Sequence, residues 1–136
     1  MRFLAIDYGE VRTGLAVCDA DETMAFPLNI LRGQHDLAQR IADVIAAERI
    51  DAVVMGLPLN MDGSEGPQAK RAKTFADRLL GCVEVPVFFQ DERLSSFEAR
   101  DKLRIAGWSR NKTRDRLDAV AAAEILQAFL ESRKQA

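Results

Sequence analysis

Three acids far apart in the chain, Asp7, Glu92 and Asp118, stand where carboxylates are costly to keep. Asp7 ends the apolar run Phe3, Leu4, Ala5 and Ile6, which reads as a strand buried on both faces. Glu92 lies in "DER", directly after the apolar run "VPVFFQ". Parallel strands running from a common edge would bring both acids to one rim of a sheet. Asp118 lies in "RLDAVAAAEILQAFL", a helix apolar nearly all round and hence packed against the body of the protein. An ionised carboxylate held there needs a cation or strong donors to offset its desolvation. Three clustered acids repel one another, and a divalent cation relieves that repulsion. With hard oxygen donors and no His or Cys nearby, Mg²⁺ or Mn²⁺ suits the set better than Zn²⁺. Two such ions roughly 3.5–4 Å apart activate a water and stabilise the leaving oxygen of a phosphodiester. That chemistry is phosphodiester hydrolysis, the work of a nuclease.

The elements that must position these acids are legible in the residue pattern. Arg2 to Asp7 and Thr13 to Asp19 read as two strands of a hairpin, with Gly9 expected to supply the positive φ of its turn. "MAFPLNIL" reads as a third strand, placed at a sheet edge because Pro27 cannot donate to a ladder. Leu37, Ala38, Ile41, Ala42 and Ile45 recur at helical spacing through Ala47. "DAVVMG" is a short buried strand, and "LPLNMDGSEGP" is a loop whose Pro67 opens a second helix over Ala69, Ala72, Ala76 and Leu79. After "VPVFFQ" two helices are expected, Ser96 to Ala106 and Arg114 to Arg133, separated by Gly107 and a basic linker. No internal repeat, low-complexity tract or domain linker interrupts this pattern.

The 136 residues suit a single domain, 1–136, able to bury a core without disulfides. Cys18 and Cys82 have no CxxC partner and sit in apolar segments, as expected of reduced core thiols in a cytosolic protein. The N-terminus has no secretory pattern, and no apolar run reaches the roughly 20 residues of a membrane span. The expectation is a soluble, cytoplasmic protein with no membrane partner. Its formal charge is −2, so nucleic acid must be met by a local basic patch rather than by the whole surface.

Taken together, "DYGEVRTG", "GLPLNMDGSEGPQA", "DERLSSFEA" and "LDAVAAAEIL" resemble the YqgF family of ribonuclease H-like proteins, in order, from Arg2 to about Leu130. The resemblance implies an α/β fold with a five-stranded mixed sheet, three antiparallel strands then two parallel ones, flanked by helices. It also implies a nuclease that processes the 5′ end of the small-subunit (16S) ribosomal RNA precursor. An older proposal for the family is Holliday junction cleavage on four-way DNA. Carried over by position, the family's acidic triad falls on Asp7, Glu92 and Asp118. Many relatives have a basic residue before the position of Arg12, where this chain has Val11, so one phosphate contact is missing.

Other residues admit plainer roles. Asp91 competes with Glu92, since neighbours on a strand end point to opposite sides; the resemblance selects Glu92 and leaves Asp91 to assist it. Ser95 and Glu98 form a capping box. Gly56, Pro58 and Gly63 are turn formers, and Gly63 and Gly66 let backbone approach a phosphate, so this loop, with Gly9 in the first hairpin turn, is expected to border the substrate. Arg110, Lys112, Arg114 and Arg116 lead into Asp118, although the helix dipole disfavours Arg114 and Arg116 there. Their place favours phosphate binding. Arg12 and Arg93, beside Asp7 and Glu92, are expected to bind phosphate or pair with the acids. His35 is assigned no role.

Two rival classes are weighed. An Asp-x-Gly hairpin also forms the phosphate loop of the actin and sugar-kinase superfamily, but that fold needs a second such hairpin on a duplicated domain, and this chain has neither. A non-catalytic RNA-binding module of ribosome assembly is opposed by the complete acidic triad. Helices with ordinary charged outer faces and no spare apolar stripe favour a monomer.

Overall fold

The structure, a computed structural model, describes residues 1–94 and 114–135, with side chains for all of these except 94, 114–118 and 135. Five strands form one sheet: β1 (Phe3–Asp7), β2 (Arg12–Cys18), β3 (Ala25–Arg32), β4 (Ala52–Leu57) and β5 (Val87–Asp91). Their order is β3-β2-β1-β4-β5. The β1–β2 and β2–β3 pairs are antiparallel, the β1–β4 and β4–β5 pairs parallel. Among the described residues the helices are α1 (Leu37–Ala47), α2 (Pro67–Leu80) and α3 (Arg114–Gln135). A single 3-10 turn, Glu92–Leu94, follows β5.

The unbroken apolar run of β1 is explained by helices on both faces of the sheet. Leu4 and Ile6 point into a cluster with Leu37, Ile41, Phe75 and Leu79 of α1 and α2. Phe3 and Ala5 point the other way, into a cluster with Ala122, Ala123, Leu126 and Leu130 of α3. Ala16, Ala25 and Ala52 on the sheet meet alanines on α3, and small side chains on both sides of that seam let helix and sheet approach closely. The strand has no wet face, so it cannot alternate.

Strand β3 lies at the edge, and Pro27 pairs there with Ala16 where the register slips between Leu15 and Ala16. The edge is tied down by Gln127 of α3, whose side chain is fully buried. Its Oε1 accepts the Ala25 backbone N–H at 2.9 Å, and its Nε2 donates to the Thr23 carbonyl at 3.2 Å and to Glu131 Oε1 at 3.1 Å. A buried primary amide is tolerated because oxygen and nitrogen both have partners.

Two expectations are corrected. Gly9 does not take positive φ; among the described glycines only Gly33 and Gly63 do. Gly9 is required for closeness instead, since a Cβ there would lie 2.2 Å from the Arg12 carbonyl oxygen. Cys18 is buried, but Cys82 is exposed, because the chain turns outward after Gly81 ends α2. The helix expected over Ser96 to Ala106, its Ser95–Glu98 capping box, and Arg110 and Lys112 lie outside the described residues. No helix among the described residues is long and apolar enough to cross a membrane.

Candidate active site

The rim at the C-terminal ends of β1, β4 and β5 collects the acids. In the β1–β4 ladder Ile6 is level with Met55, and one further step brings Asp7 level with Gly56. In the β4–β5 ladder Gly56 is level with Gln90, two residues before Glu92. Glu92 folds back over this spot: a Cβ at Gly56 would lie 2.7 Å from Glu92 Oε1 and 2.6 Å from Ile125 Cδ1 of α3. Strand alternation puts Asp7 on the same face as Phe3 and Ala5, the face that α3 covers. Gly56 is therefore not a loop residue, as its turn-forming type suggested, but a strand position whose missing side chain leaves room for the Glu92 carboxylate.

Helix α3, which contains Asp118, runs towards this end of the sheet. Phe129 packs edge-on against Phe3, at the start of β1, with ring centroids 5.2 Å apart, while Ile125 covers Gly56 at the end of β4. The helix therefore runs antiparallel to β1, and its N-terminal part extends towards the rim. Asp118 precedes Ile125 by two helical turns on the same face of α3. Arg114 and Arg116 occupy the first turn of that helix.

Asp91 is engaged elsewhere. Arg93 grips it with Nε 3.1 Å from both carboxylate oxygens, Nη2 2.7 Å from Oδ2, and its backbone N–H 2.9 Å from Oδ1. The guanidinium holds the Asp91 carboxyl below the ordinary range, chiefly through these hydrogen bonds. Arg93 also donates through Nη1 to the Met61 carbonyl at 3.1 Å, and passes beside Gly63, whose φ is 87°. The pair thus fastens the loop between β4 and α2 to the end of β5, next to Glu92. Asp91→Asn should speed amide exchange across residues 60–64 several-fold while β4 and β5 keep their protection. The wild-type loop should loosen in the same way as pH falls through the depressed Asp91 value, because the charged form makes the contact. Exchange that ignores both changes would deny the clamp this role.

The turn after Asp7 is held just as firmly. Gln34 Nε2 donates to the carbonyls of Gly9 and Glu10, both at 2.9 Å, and Gln34 Oε1 accepts the Tyr8 hydroxyl at 2.8 Å. Thr13 Oγ1 lies 3.3 Å from the Gly9 N–H and 3.2 Å from its carbonyl. Arg12 opens β2 on the face shared by Ala16 and Cys18, hence on Asp7's side of the sheet. Gln34 and Gln90 escaped the sequence reading. Gln34 lies outside every motif, and Gln90, buried level with Gly56, carries an amide nitrogen with no hydrogen-bond partner among the described residues.

The donor set suits a hard divalent cation, since Asp7 and Glu92 offer only carboxylate oxygens at the rim. Among the described residues no group of three His, Cys, Asp or Glu side chains is placed to hold a metal, and the Asp118 side chain is not among those described.

A family profile described as "RuvX: Holliday junction resolvase" matches residues 1–132. A relative from Anaeromyxobacter sp. (strain Fw109-5), curated as "Putative pre-16S rRNA nuclease", is 46% identical over 136 residues, covering 98% of each chain. One of the same name from Chloroflexus aurantiacus (strain ATCC 29366 / DSM 635 / J-10-fl) is 42% identical, covering 96% of this chain and 87% of its own. Of solved structures, Thermus thermophilus RuvC in complex with a Holliday junction substrate superposes with a TM-score of 0.67 at 18% identity, covering 99% of this chain and 96% of that one. Fowlpox virus resolvase with Holliday junction DNA gives 0.60 at 14% identity, covering 98% and 99%. These two likenesses establish the fold, a ribonuclease H-like mixed sheet of the RuvC kind. With the sequence matched from end to end at this identity, the chain belongs to the RuvX (YqgF) family.

Proposed function

We propose that this protein is a divalent-metal-dependent nuclease that hydrolyses phosphodiester bonds at the 5′ end of the 16S ribosomal RNA precursor, in the cytoplasm. The observation that supports the reading is the Glu92 carboxylate lying over Gly56, the strand position one step beyond the Ile6–Met55 pair and so level with Asp7. The names of the full-length relatives supply the substrate. Asp7, Glu92 and Asp118 would hold Mg²⁺ or Mn²⁺, in one or two sites, and the metal would activate water and stabilise the departing oxygen. The chain's own part is positioning. The Gln34 bonds fix the turn that follows Asp7, and the Arg93 clamp fixes the loop beside Glu92. Arg12 and the cations from Arg110 to Arg116 would hold backbone phosphates beside the acids.

The test is cleavage by the purified chain of structured 16S precursor RNA and of four-way DNA, each with Mg²⁺, Mn²⁺ or a chelator. RNA should be shortened, the DNA left intact, and the chelator should stop the reaction. The family description favours a second reading, junction resolution. Symmetric resolution requires two sites related by a dimer axis. Sedimentation should find mainly monomer; a stable dimer that nicks four-way DNA on opposed strands would establish the resolvase reading instead.

A further inference from the structure

On the opposite side of β1 from α3, three shallow concavities adjoin one another along α2, and all three are lined by Arg71. The first, about 390 Å³, lies at the end of β4, where Pro58 and Asn60 face the start of α2. The second, about 280 Å³, lies under the β1–β2 turn and is walled by Tyr8, Gly9 and Glu10. The third, about 220 Å³, continues down the helix between Lys70, Thr74 and Arg78. They make one groove that starts at the catalytic rim, immediately after Asp7 and β4, and leads away from it. Tyr8 forms a firm wall, stacked on Phe75 at 4.7 Å.

The charge of this groove is opposite to that of the protein. The chain carries −2 overall, whereas α2 bears Lys70, Arg71, Lys73 and Arg78 against the single acid Asp77. Lys73 is paired with Glu65 at 2.8 Å. Lys70 and Arg78 are exposed and have no acidic partner among the described residues. Arg71 is held by Glu10 at 3.1 Å, in a contact open to solvent with the two side chains 55% and 63% exposed. So exposed a pair contributes little and exchanges readily for a stronger anion. The Glu10 carboxylate lies where a phosphate would be gripped by the guanidinium.

We propose that this groove is the track for a single nucleic-acid strand beyond the cleavage point, with Lys70, Arg71 and Arg78 binding its successive phosphates and Glu10 standing in for phosphate when the groove is empty. The inference rests on the nuclease reading above and extends it to the substrate's path. A strand bent over the rim between the β1–β2 turn and the β4–α2 loop would present one phosphodiester to Asp7 and Glu92 and lay its continuation along α2. The sugar is not read by such contacts, so RNA and DNA strands should both bind.

The test measures binding of fluorescent single-stranded RNA and DNA oligonucleotides across a salt series, in an Asp7→Asn background that cannot cleave. Replacing Lys70, Arg71 and Arg78 with Gln should lower the slope of log K against log salt by about 2, three contacts at roughly 0.7 each. Glu10→Gln, which removes the competing carboxylate and needs no cation deleted, should tighten binding several-fold at low salt. Thermal unfolding of each variant separates loss of binding from loss of fold. An unchanged slope in a folded triple variant, or unaltered affinity in Glu10→Gln, would overturn the groove. If both behave as expected while wild type cleaves no RNA or DNA, the groove stands and the nuclease reading falls.

Discussion

Asp7→Asn should abolish hydrolysis of precursor RNA, by at least on the order of 10³-fold in turnover, with the fold intact. The substitution keeps the shape of the side chain and removes one charged donor from the rim. Metal stabilisation of transition-state charge is worth several kcal/mol, and each 1.4 kcal/mol is about tenfold in rate. Glu92→Gln should behave alike, because its carboxylate lies over the same spot at Gly56. Without divalent metal the thermal midpoint of Asp7→Asn should hold or rise, since removing one of several neighbouring negative charges relieves repulsion. Single-turnover assays with and without Mg²⁺, and melting of both proteins in chelator, make the measurement. Retained turnover would remove Asp7 from the chemistry; a midpoint lowered by many degrees would make it a structural acid.

The second large effect is expected from a residue with no chemistry of its own. In Gly56→Ala the new Cβ would meet Ile125 Cδ1 at 2.6 Å and Glu92 Oε1 at 2.7 Å, both far closer than carbon contacts allow. Both neighbours are side-chain ends, and the backbone has no cause to move. Glu92, which ends at the rim, should yield more readily than Ile125, which is buried in the α3 seam. Displacing a reacting group by about 1 Å can cost on the order of 10²-fold in rate. Turnover should therefore fall by about that factor while the thermal midpoint drops only a few degrees. Gly56→Val should lose both activity and stability, because a branched side chain leaves Ile125 no room. Wild-type turnover in Gly56→Ala would mean that Glu92 does its work from somewhere else.

Much of this arrangement is legible in the amino-acid order. Apolar runs ending in acids gave β1 and β5, Pro27 placed β3 at the edge, and the period of Leu37, Ile41 and Ile45 gave α1. These are local signals, written in a few adjacent residues. What escaped depends on approach between distant segments. Nothing around Gly56 in sequence announces that Glu92 will lie across it, and the type of Gly9 suggests handedness where the structure shows closeness to Arg12. Arg93 is open in sequence to phosphate binding or to pairing with an acid beside it; it pairs with Asp91, while its reach to the Met61 carbonyl has no sign in its neighbours. The cations of α2 look like any solvated helix face until Tyr8 and Glu10 close a groove over them. Asp118 remains a proposal drawn from its helix position and the family pattern.

Gln127 sets the phase of the whole last helix. Its amide fits the backbone of Thr23 and Ala25 in one orientation, so α3 can neither rotate about its axis nor slide by a residue without stranding a buried donor and acceptor. Asp118 rides on the same rod, on the order of 13 Å away at about 1.5 Å per residue. The bearing of the helix that carries Asp118 is thus fixed from the far end of the molecule, like the hand of a clock by its gear. Sequence drift at Gln127 can therefore turn the helix on the sheet, and a helix grafted from a relative will keep time only if its own anchor to the edge strand comes with it.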